Sequence, residues 1–365
     1  MLRRLAGTIA VLVLLPYLAV PSYDFAPAQP FAGSRWVNPY ANLRGPWRRV
    51  HFHAHGQAWG GVTAGAQADA DVIAAYRKAG YDIAGVSNYQ SISPLDLVPV
   101  YEHGFNAGKH HQLAIGARDV TWWDFPLWQG IDEKQYVLDR LRPLSDLIAL
   151  SHPSRLHGYT SDDVRRLTGY ELMEIANGHI TTEDRWDAAL SSGHVIWGLG
   201  NDDTHDVTDA RRFAVAWTAI AAASLTPADV IAALRQGQSY VVVRHEDAPV
   251  GADVTAPTVR IDGSHITVSL DGPAATITFI GQDGRTRGTT VGAAASYELR
   301  SEDTYVRVNV HGSTTDLFLN PVMRTTPAAL PRPEARTDRW WTWSRRGLLA
   351  AACVVLAALS WWRVR

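Results

Sequence analysis

Three histidines occupy alternate positions in a short, strand-like segment about fifty residues into the chain. The segment reads His51-Phe52-His53-Ala54-His55-Gly56. Alternate residues of a strand point to the same face at intervals of about 6.6–7 Å, so two neighbouring imidazoles can converge on one metal ion. Histidines that merely decorate the surface are the alternative. Three of them within five positions favour a metal site.

Two further segments place polar side chains directly after predicted strands. The run Gly200-Asn201-Asp202-Asp203-Thr204-His205-Asp206 follows a strand predicted over His194–Leu199, and Ser151-His152-Pro153 follows one predicted over Leu147–Leu150. Barrel enzymes carry their chemistry at the carboxyl ends of the strands, so both segments predict ligands for one centre. Asn, Asp and His-Pro sequences also form tight turns, which is the alternative for each segment.

Other polar and aromatic residues are weaker candidates. Glu174 lies inside an apolar strand run, where it either orients a ligand histidine or marks an exposed strand end. A polar stretch before the strand predicted over Gln112–Ile115 fits a substrate-anion site and a solvated loop equally well; it contains Glu102, His103, Lys109, His110 and His111. Three tryptophans are predicted to pack in the core rather than to line a pocket: Trp122, Trp123 and Trp128.

Apolar runs alternate with helical patterns from Val50 to about residue 247, which predicts a repeated β-α arrangement. The predicted helices are Ala68–Lys78, Asp132–Leu141, Ser161–Leu167 and Thr226–Leu234. After residue 248 short alternating strands are separated by Asp-Gly and Gly-Ser turns without helical periodicity. This region is predicted to form a small all-β sandwich.

The order His-x-His, carboxylate, His-Pro and Asp-x-His, each after a strand, resembles the PHP superfamily, the polymerase and histidinol phosphatase family of metal-dependent phosphoesterases. The resemblance covers residues 50–245 and implies an α/β fold, a distorted (β/α)7 TIM-like barrel with metals at its strand ends. In Ile115-Gly116-Ala117-Arg118-Asp119-Val120-Thr121, the acid after the glycine takes the place of the family's bridging acid. The implied metal ligands are His53, His55, Asp119, His152, Asp203 and His205.

Ser87-Asn88-Tyr89 stands where the family has Thr-Asp-His, which removes an imidazole assigned to a third metal. The resemblance therefore implies one or two divalent ions, Zn, Mn or Fe, because His and carboxylate ligands accommodate several metals. Tyr89 and His205 are the expected catalytic residues. Tyr89 would act as a phenolic hydrogen-bond donor to the substrate.

Both ends of the chain are apolar with basic flanks. Arg3 and Arg4 precede the run Leu5–Val20, which is typical of a secretory signal or of an uncleaved anchor. From Trp343 to Trp361 a helix would span about 27 Å, close to the bilayer's hydrocarbon thickness, with tryptophans at both ends. A buried tail helix is the alternative. With Arg3 and Arg4 inside, the body is predicted to be extracytoplasmic.

Composition excludes several classes of protein. The 365 residues are 46% hydrophobic and 19% charged, which is typical of a globular protein. Without the basic chain ends, the body holds more acids than bases, so we expect no nucleic-acid partner. No phosphate-binding loop or dinucleotide motif is present, and the single cysteine, Cys353, excludes an intramolecular disulfide.

The sequence therefore predicts a membrane-anchored, metal-dependent hydrolase, a phosphoesterase that uses a metal-activated water on a small phosphorylated or ester substrate. The alternatives are an ester, amide or carbamate hydrolase of the same fold and a noncatalytic PHP-like binding protein at the membrane. Its oligomeric state is not predicted. The predicted parts are a signal peptide or anchor (1–22), a linker (23–45), the barrel (46–247), the β-sandwich (248–326), a second linker (327–343) and a transmembrane helix (344–362).

Overall fold

The computed structural model describes residues 2–62, 65–156, 158–251, 256–326, 330 and 332–361. The α-helices in these ranges are α1 Leu2–Leu14, α2 Asp69–Lys78, α3 Ile131–Leu141, α4 Ser161–Arg166, α5 Glu183–Ser191, α6 Pro227–Arg235 and α7 Arg339–Trp361. The strands of the first half are β1 Ser22–Phe25, β2 Arg35–Val37, β3 Trp47–His51, β4 Ile83–Ala84, β5 Val100–His103, β6 Gln112–Ile115, β7 Leu147–Leu150, β8 Leu172–Asn177 and β9 Ile180–Thr181. The remaining strands are β10 Trp197–Asn201, β11 Ala216–Ala221, β12 Ser239–Arg244, β13 Pro257–Asp262, β14 His265–Leu270, β15 Ala275–Gly281, β16 Arg285–Gly292, β17 Ala294–Glu298, β18 Tyr305–His311, β19 Thr315–Thr325 and β20 Ala335–Asp338.

One large sheet carries most of the predicted site segments. Its strand order is β10-β8-β7-β6-β5, with the short β9 paired to β8. Strands β7, β8 and β10 run parallel to one another, whereas β6 is antiparallel to both β5 and β7. The carboxyl ends of β5, β7, β8 and β10 therefore meet at the same edge of the sheet as the amino end of β6.

A second large sheet has the order β16-β15-β18-β19-β12-β11-β3-β4, with β2 paired to β19. Only β3 and β4 are parallel in this sheet. The prediction of a mixed α/β fold is confirmed. Within the described residues the two large sheets are joined by isolated bridges, Ala54 to Thr204 and Tyr89 to Glu102, and by no regular ladder.

The all-β region after residue 248 is attached to the rest of the fold by backbone hydrogen bonds. Residues Thr315–Leu319 of β19 pair with β12, so four C-terminal strands extend the sheet that contains β3. A three-stranded sheet, β13-β14-β17, packs its buried Val259, Ile266 and Val268 into the same apolar cluster as Ile277 and Phe279 of β15. The predicted boundary between the barrel and the β-sandwich at residue 247 thus stays a prediction. The residues on its two sides contribute to one apolar cluster.

Both chain ends are built into the fold. Strand β1 pairs antiparallel with β20, and Tyr17, directly after α1, is buried in the main core. The stretch predicted as the first linker also contains β2 and the buried Phe31. These segments are ordered because their aromatic residues fill core space.

The described residues contain one helix that is long and apolar enough to cross a membrane, Arg339–Ser360 within α7. At the amino end the apolar helix is shorter, and its assignment as a signal peptide or an anchor stays a prediction. Helix α1 has 13 residues, fewer than the roughly 20 that a span needs. It lies along α7, where Gly7 approaches the Ser360 side chain. Trp362, the predicted end of the C-terminal span, lies outside the described residues.

Candidate metal centre

Buried histidines and carboxylates from five separate chain segments meet where the edges of the two large sheets face each other. His53 and His55 follow β3, and Glu102 lies in β5. His111 immediately precedes β6, His152 follows β7 and Asp203 follows β10. Because β6 runs antiparallel to its neighbours, the residue before it lies at the same edge as the residues after β7 and β10.

The first group comprises His53, His55, Glu102 and Asp203, all buried, with one potential ligand atom from each close enough to share an ion. The Nε2 atom of His53 lies 3.3 Å from Glu102 Oε1 and 3.2 Å from Asp203 Oδ1. The Nε2 atom of His55 lies 3.2 Å from Glu102 Oε2 and from Asp203 Oδ1. Two imidazoles and two carboxylates are a donor set that suits Zn²⁺, Mn²⁺ or Fe²⁺.

The second group comprises Glu102, His111 and His152, again all buried. Glu102 Oε1 lies 2.8 Å from His111 Nδ1 and 3.0 Å from His152 Nε2. Glu102 therefore belongs to both groups, and a carboxylate placed in this way can bridge two metal ions.

The chemistry of the donors fits a cationic occupant. His53 Nε2, Glu102 Oε2 and His111 Nε2 are buried and make no hydrogen bond within the described residues. Leaving buried polar atoms without partners costs free energy, which a bound metal would recover. The residues present thus fit one or two divalent ions.

Electrostatics at the centre also favour positive charge. Burial alone would raise the pKa of Glu102, but His111 and His53 beside it hold that pKa well below its usual value. Burial would likewise raise the pKa of Asp203, and His53 lowers it well below the ordinary range. Both carboxylates are therefore ionised in a buried place and require cationic counter-charge.

Glu174, in β8, orients the first histidine. His53 Nδ1 donates a hydrogen bond of 2.7 Å to Glu174 Oε1, because a carboxylate can only accept. This contact leaves the Nε2 lone pair of His53 directed to the centre. The second Glu174 oxygen accepts from the backbone N–H of His152 at 2.7 Å, so one carboxylate positions two ligand segments.

Two of the ligand residues have left-handed backbone conformations. The φ angle is +30° at His152 and +52° at Asp203, values that L-residues adopt at an energetic cost. The surrounding hydrogen bonds maintain this geometry, since Asp203 N donates to His53 O and His55 N donates to Thr204 O, each at 2.9 Å. Backbone strain is thus located at the residues that would bind the metal.

Four of the six predicted metal ligands, His53, His55, His152 and Asp203, lie in the two groups. His205 lies at the rim, where its ring stacks on His55 with centroids 4.4 Å apart and its Nε2 is 3.6 Å from Asp203 Oδ1. Burial, followed by the nearby charge of His55, lowers the pKa of His205 to about 4. It lies beside the first group without being a member of either group, and its role as a metal ligand stays a prediction.

The structure does not bring Asp119 to the centre. Its side chain is exposed and accepts a local hydrogen bond of 2.7 Å from the Val120 N–H. Glu102 occupies the shared position that the sequence analysis gave to Asp119. The sequence indicates Glu102 and His111 only as members of a polar stretch. An acid and a histidine on either side of one hairpin loop were the pattern that could have identified them.

Tyr89 closes one side of the centre. Its ring stacks on His55 with centroids 4.7 Å apart and meets His111 edge-on at 5.5 Å. Burial, with a further contribution from Glu102, raises the pKa of Tyr89. The phenol consequently keeps its proton and can donate a hydrogen bond.

His51, the first histidine of the motif, lies outside both groups. Its Nε2 accepts from the Asp202 N–H at 2.8 Å, and its ring stacks on Tyr76. The Asp202 carboxylate accepts from Tyr76 Oη and from the backbone N–H groups of residues 214–216. These two residues hold the loop that carries Asp203 rather than bind a metal.

The mouth of the centre carries positive charge. Arg155, whose side chain is 41% exposed, donates to Asp203 Oδ2 at 2.6 Å. Lys109 Nζ lies 6.0 Å from the centroid of the Tyr89 ring. Cations from two different loops thus flank the approach to the buried ligands.

No protein family matches the sequence, and no curated protein is significantly similar to it. One solved structure to which the chain is similar is a two-domain protein of Bacteroides vulgatus that contains a predicted PHP-like metal-dependent phosphoesterase. It is 12% identical, with a TM-score of 0.41 over 86% of this chain and 99% of that chain.

Proposed function

We propose that this protein is a metal-dependent hydrolase of the PHP type that cleaves phosphoric esters. The observation that carries the proposal is the position of Glu102, which is fully buried and shared by the two histidine-containing groups. In this proposal β3, β4, β5, β6, β7, β8 and β10 form an open, distorted seven-stranded barrel around the centre.

His53, His55, Glu102 and Asp203 would hold one ion, and Glu102, His111 and His152 a second. Bound divalent metal supplies a water of lowered pKa and neutralises charge on a leaving oxygen. Glu174 keeps His53 in the tautomer that a ligand needs. Asp119 is replaced by Glu102 in this ligand set.

Tyr89 and His205 flank His55 on the side that a substrate would approach. We assign the Tyr89 hydroxyl to a hydrogen bond with a non-bridging oxygen of the substrate, since its raised pKa keeps it a donor. His205 is neutral near pH 7 because its pKa is lowered to about 4, so its ring can accept or donate a hydrogen bond at a substrate oxygen.

Arg155 and Lys109 favour an anionic substrate over a neutral carboxylic ester, amide or carbamate. Arginine recognises phosphate oxygens through paired N–H donors, and lysine adds a point charge. A purely binding role does not require the strained, carboxylate-rich centre that the chain builds around Glu102. A phosphomonoester or phosphodiester is thus the favoured substrate class.

We further propose that α7 anchors the body to a membrane. The exposed tryptophans at its start suit the headgroup region. Arg345 and Arg346 at the body end are engaged, since Arg345 pairs with Asp132 at 3.1 Å and Arg346 donates to the carbonyls of Leu18 and Ala19. Arg3 and Arg4 and the arginines at the carboxyl end are then the residues that would select the cytoplasmic side. We therefore propose that the body lies on the extracytoplasmic side of the membrane.

The proposed function is tested with the full chain purified in detergent. We expect bound Zn, Mn or Fe and hydrolysis of an aryl phosphate that a chelator abolishes and one of these metals restores. Glu102→Gln should lower both metal content and turnover, whereas Glu298→Gln, an exposed glutamate remote from the centre, should change neither. Full activity of Glu102→Gln, or an inert metal-loaded wild type, would refute the proposal.

A further inference from the structure

The chain exposes an unusual number of tryptophans. Among the tryptophans whose exposure the structure describes, seven are at least 39% exposed: Trp59, Trp122, Trp123, Trp128, Trp340, Trp341 and Trp343. Tryptophan is normally among the most buried residues by area, and clustered apolar exposure marks an interaction surface. The prediction that Trp122, Trp123 and Trp128 pack in the core is wrong, because all three face outward.

Three of these residues lie in one loop, which we call the tryptophan loop (residues 121–128). Trp122 is 60% exposed and Trp128 50%, and Leu127 between them is 55% exposed. The loop is held firmly from beneath. The Trp123 carbonyl accepts from His103 Nε2 at 3.0 Å, and Asp124 accepts from the Phe105 N–H at 2.7 Å. Its apolar surface is therefore presented in a defined shape.

One end of the tryptophan loop adjoins the candidate membrane helix. The Trp128 ring stacks on Tyr17 with centroids 4.7 Å apart. A cavity of about 610 Å³ lies between Trp128 and the first turns of α7, where it is lined by Trp341 and Leu348. Trp128 of the loop and Trp341 of α7 thus line one cavity, and we call the exposed tryptophans of the loop and of the start of α7 the aromatic surface.

The other end of the tryptophan loop reaches the metal centre. Trp122 contacts Trp59 edge-on with ring centroids 5.7 Å apart, and Trp59 Nε1 donates to the Tyr89 carbonyl at 2.8 Å. Tyr89 in turn stacks on the ligand His55. The tryptophan loop is therefore linked by direct contacts to the mouth of the centre at one end and adjoins the start of α7 at the other.

We propose that the aromatic surface contacts the bilayer and that the substrate is a membrane amphiphile with a phosphorylated headgroup. Tryptophan rings favour the headgroup region of membranes because they combine an apolar body with a polar N–H. The apolar part of the substrate would stay in the bilayer near Trp122, and its phosphate would reach Arg155 and the metal ligands. This inference depends on the proposed hydrolase function and on anchoring by α7.

A bilayer is the occupant that the position of the aromatic surface favours over a partner protein. The surface adjoins the start of the helix that is long enough to span a membrane, because Trp128 and Trp341 line one cavity there. A surface fixed at that point lies beside the headgroups whenever α7 spans. A protein partner would have to compete with lipid for the same tryptophans.

Contact with the bilayer is tested without reference to activity. In a Cys353→Ser background, Leu127→Cys carries an environment-sensitive fluorophore and the full chain is reconstituted in phosphatidylcholine vesicles. The matched control is Val291→Cys, because Val291 is 76% exposed on β16, in the C-terminal region of the chain. We expect blue-shifted emission and quenching by spin-labelled lipid at position 127 only. A water-like emission spectrum at position 127 would overturn the inference. This is also the spectrum expected if the surface binds a partner protein and not the bilayer.

Substrate class is tested with two probes, a soluble aryl phosphate and phosphatidic acid in phosphatidylcholine vesicles. Replacing Trp122 by Ser should lower turnover of the vesicle probe roughly tenfold relative to the aryl phosphate, the effect of removing one large apolar contact. Val291→Ser should leave the ratio unchanged. Hydrolysis of the aryl phosphate without any of the vesicle probe, or an unchanged ratio in Trp122→Ser, would overturn this inference alone. Failure on both probes would overturn the proposed function as well.

Discussion

Replacing Glu174 by Gln should disrupt the metal centre without removing a metal ligand. The two oxygens of Glu174 accept four hydrogen bonds, from His53 Nδ1, Asn201 Nδ2, the His152 N–H and Asn177 Nδ2, at 2.7–3.1 Å. A glutamine has one carbonyl oxygen, so in either orientation its NH₂ group faces two donors. Losing two hydrogen bonds to a buried charged group costs about 3–6 kcal/mol.

Two measurements test this prediction. Chemical unfolding of the metal-stripped full chain should give a free energy of unfolding lower by about 3–6 kcal/mol. Competition with a chromophoric chelator should show a metal affinity weaker by roughly 10–100-fold, because His53 loses its orienting acceptor or its ring turns.

Glu171→Gln is the matched control, since Glu171 lies close by on the same chain segment and accepts a single backbone hydrogen bond, of 3.1 Å, from the Ile148 N–H. It should leave the metal affinity unchanged. If Glu174→Gln retains wild-type stability and metal affinity, the assignment of Glu174 as the residue that positions His53 and His152 is incorrect.

Three other predictions follow from separate parts of the structure. Arg155→Ala should raise KM for an aryl phosphate by roughly tenfold, because the substrate loses a charged hydrogen bond. Arg166 is equally exposed at 41%, so Arg166→Ala is the control and should leave KM unchanged. Equal KM values for the two variants would contradict the role of Arg155. Burial raises the pKa of Asp96 from 3.8 to about 8. The folded state therefore binds the carboxyl proton of Asp96 more tightly than the unfolded state does. The free energy of unfolding should consequently fall as the pH rises from 4 to 8. Asp96→Asn should flatten that decline, and an unaltered pH profile would show that Asp96 titrates normally. Tyr17→Ala should lower the free energy of unfolding by about 3–5 kcal/mol, because Tyr17 is buried in the core; no effect would indicate that the amino-terminal segment is cleaved from the mature protein.

The strand-end motifs of the centre could be predicted from local sequence. His152 and Asp203 follow runs of apolar residues that identify strands by themselves, whereas His53 and His55 belong to an alternating His-x-His-x-His pattern typical of a strand. The predicted strand Leu147–Leu150 agrees with β7 at both ends. Ligands that directly follow a strand are therefore visible without knowledge of the fold.

Glu102 and His111 could not be assigned because their role depends on strand direction. They lie on either side of the loop of the β5–β6 hairpin. Strand β6 runs antiparallel to β7, whereas a barrel of parallel strands was expected. Glu102 also lies inside a strand buried on both faces, so no alternation of polar and apolar residues distinguishes its side chain. Asp119 was preferred because it follows a glycine in a strand-like segment, a local pattern that carries no information on distance to the centre.

The C-terminal region was predicted well as secondary structure and less well as architecture. The short alternating strands predicted after residue 248 are present, and β15 and β18 are among them. Their pairing with the sheet of β3 depends on contacts between residues more than 70 positions apart, such as Leu319 with Tyr240. Composition and alternation specify strands but not which distant edge they join.

The pairing of β1 with β20 makes the body nearly circular in connectivity. Four residue pairs, from Ser22 with Asp338 to Phe25 with Ala335, join the first and last strands of the body beside α1 and α7. Reporter proteins fused to either terminus should consequently emerge next to each other. A permuted chain that joins residues 25 and 335 directly and opens at the exposed turn around Gly263 would retain every segment of the metal centre while dispensing with both helices.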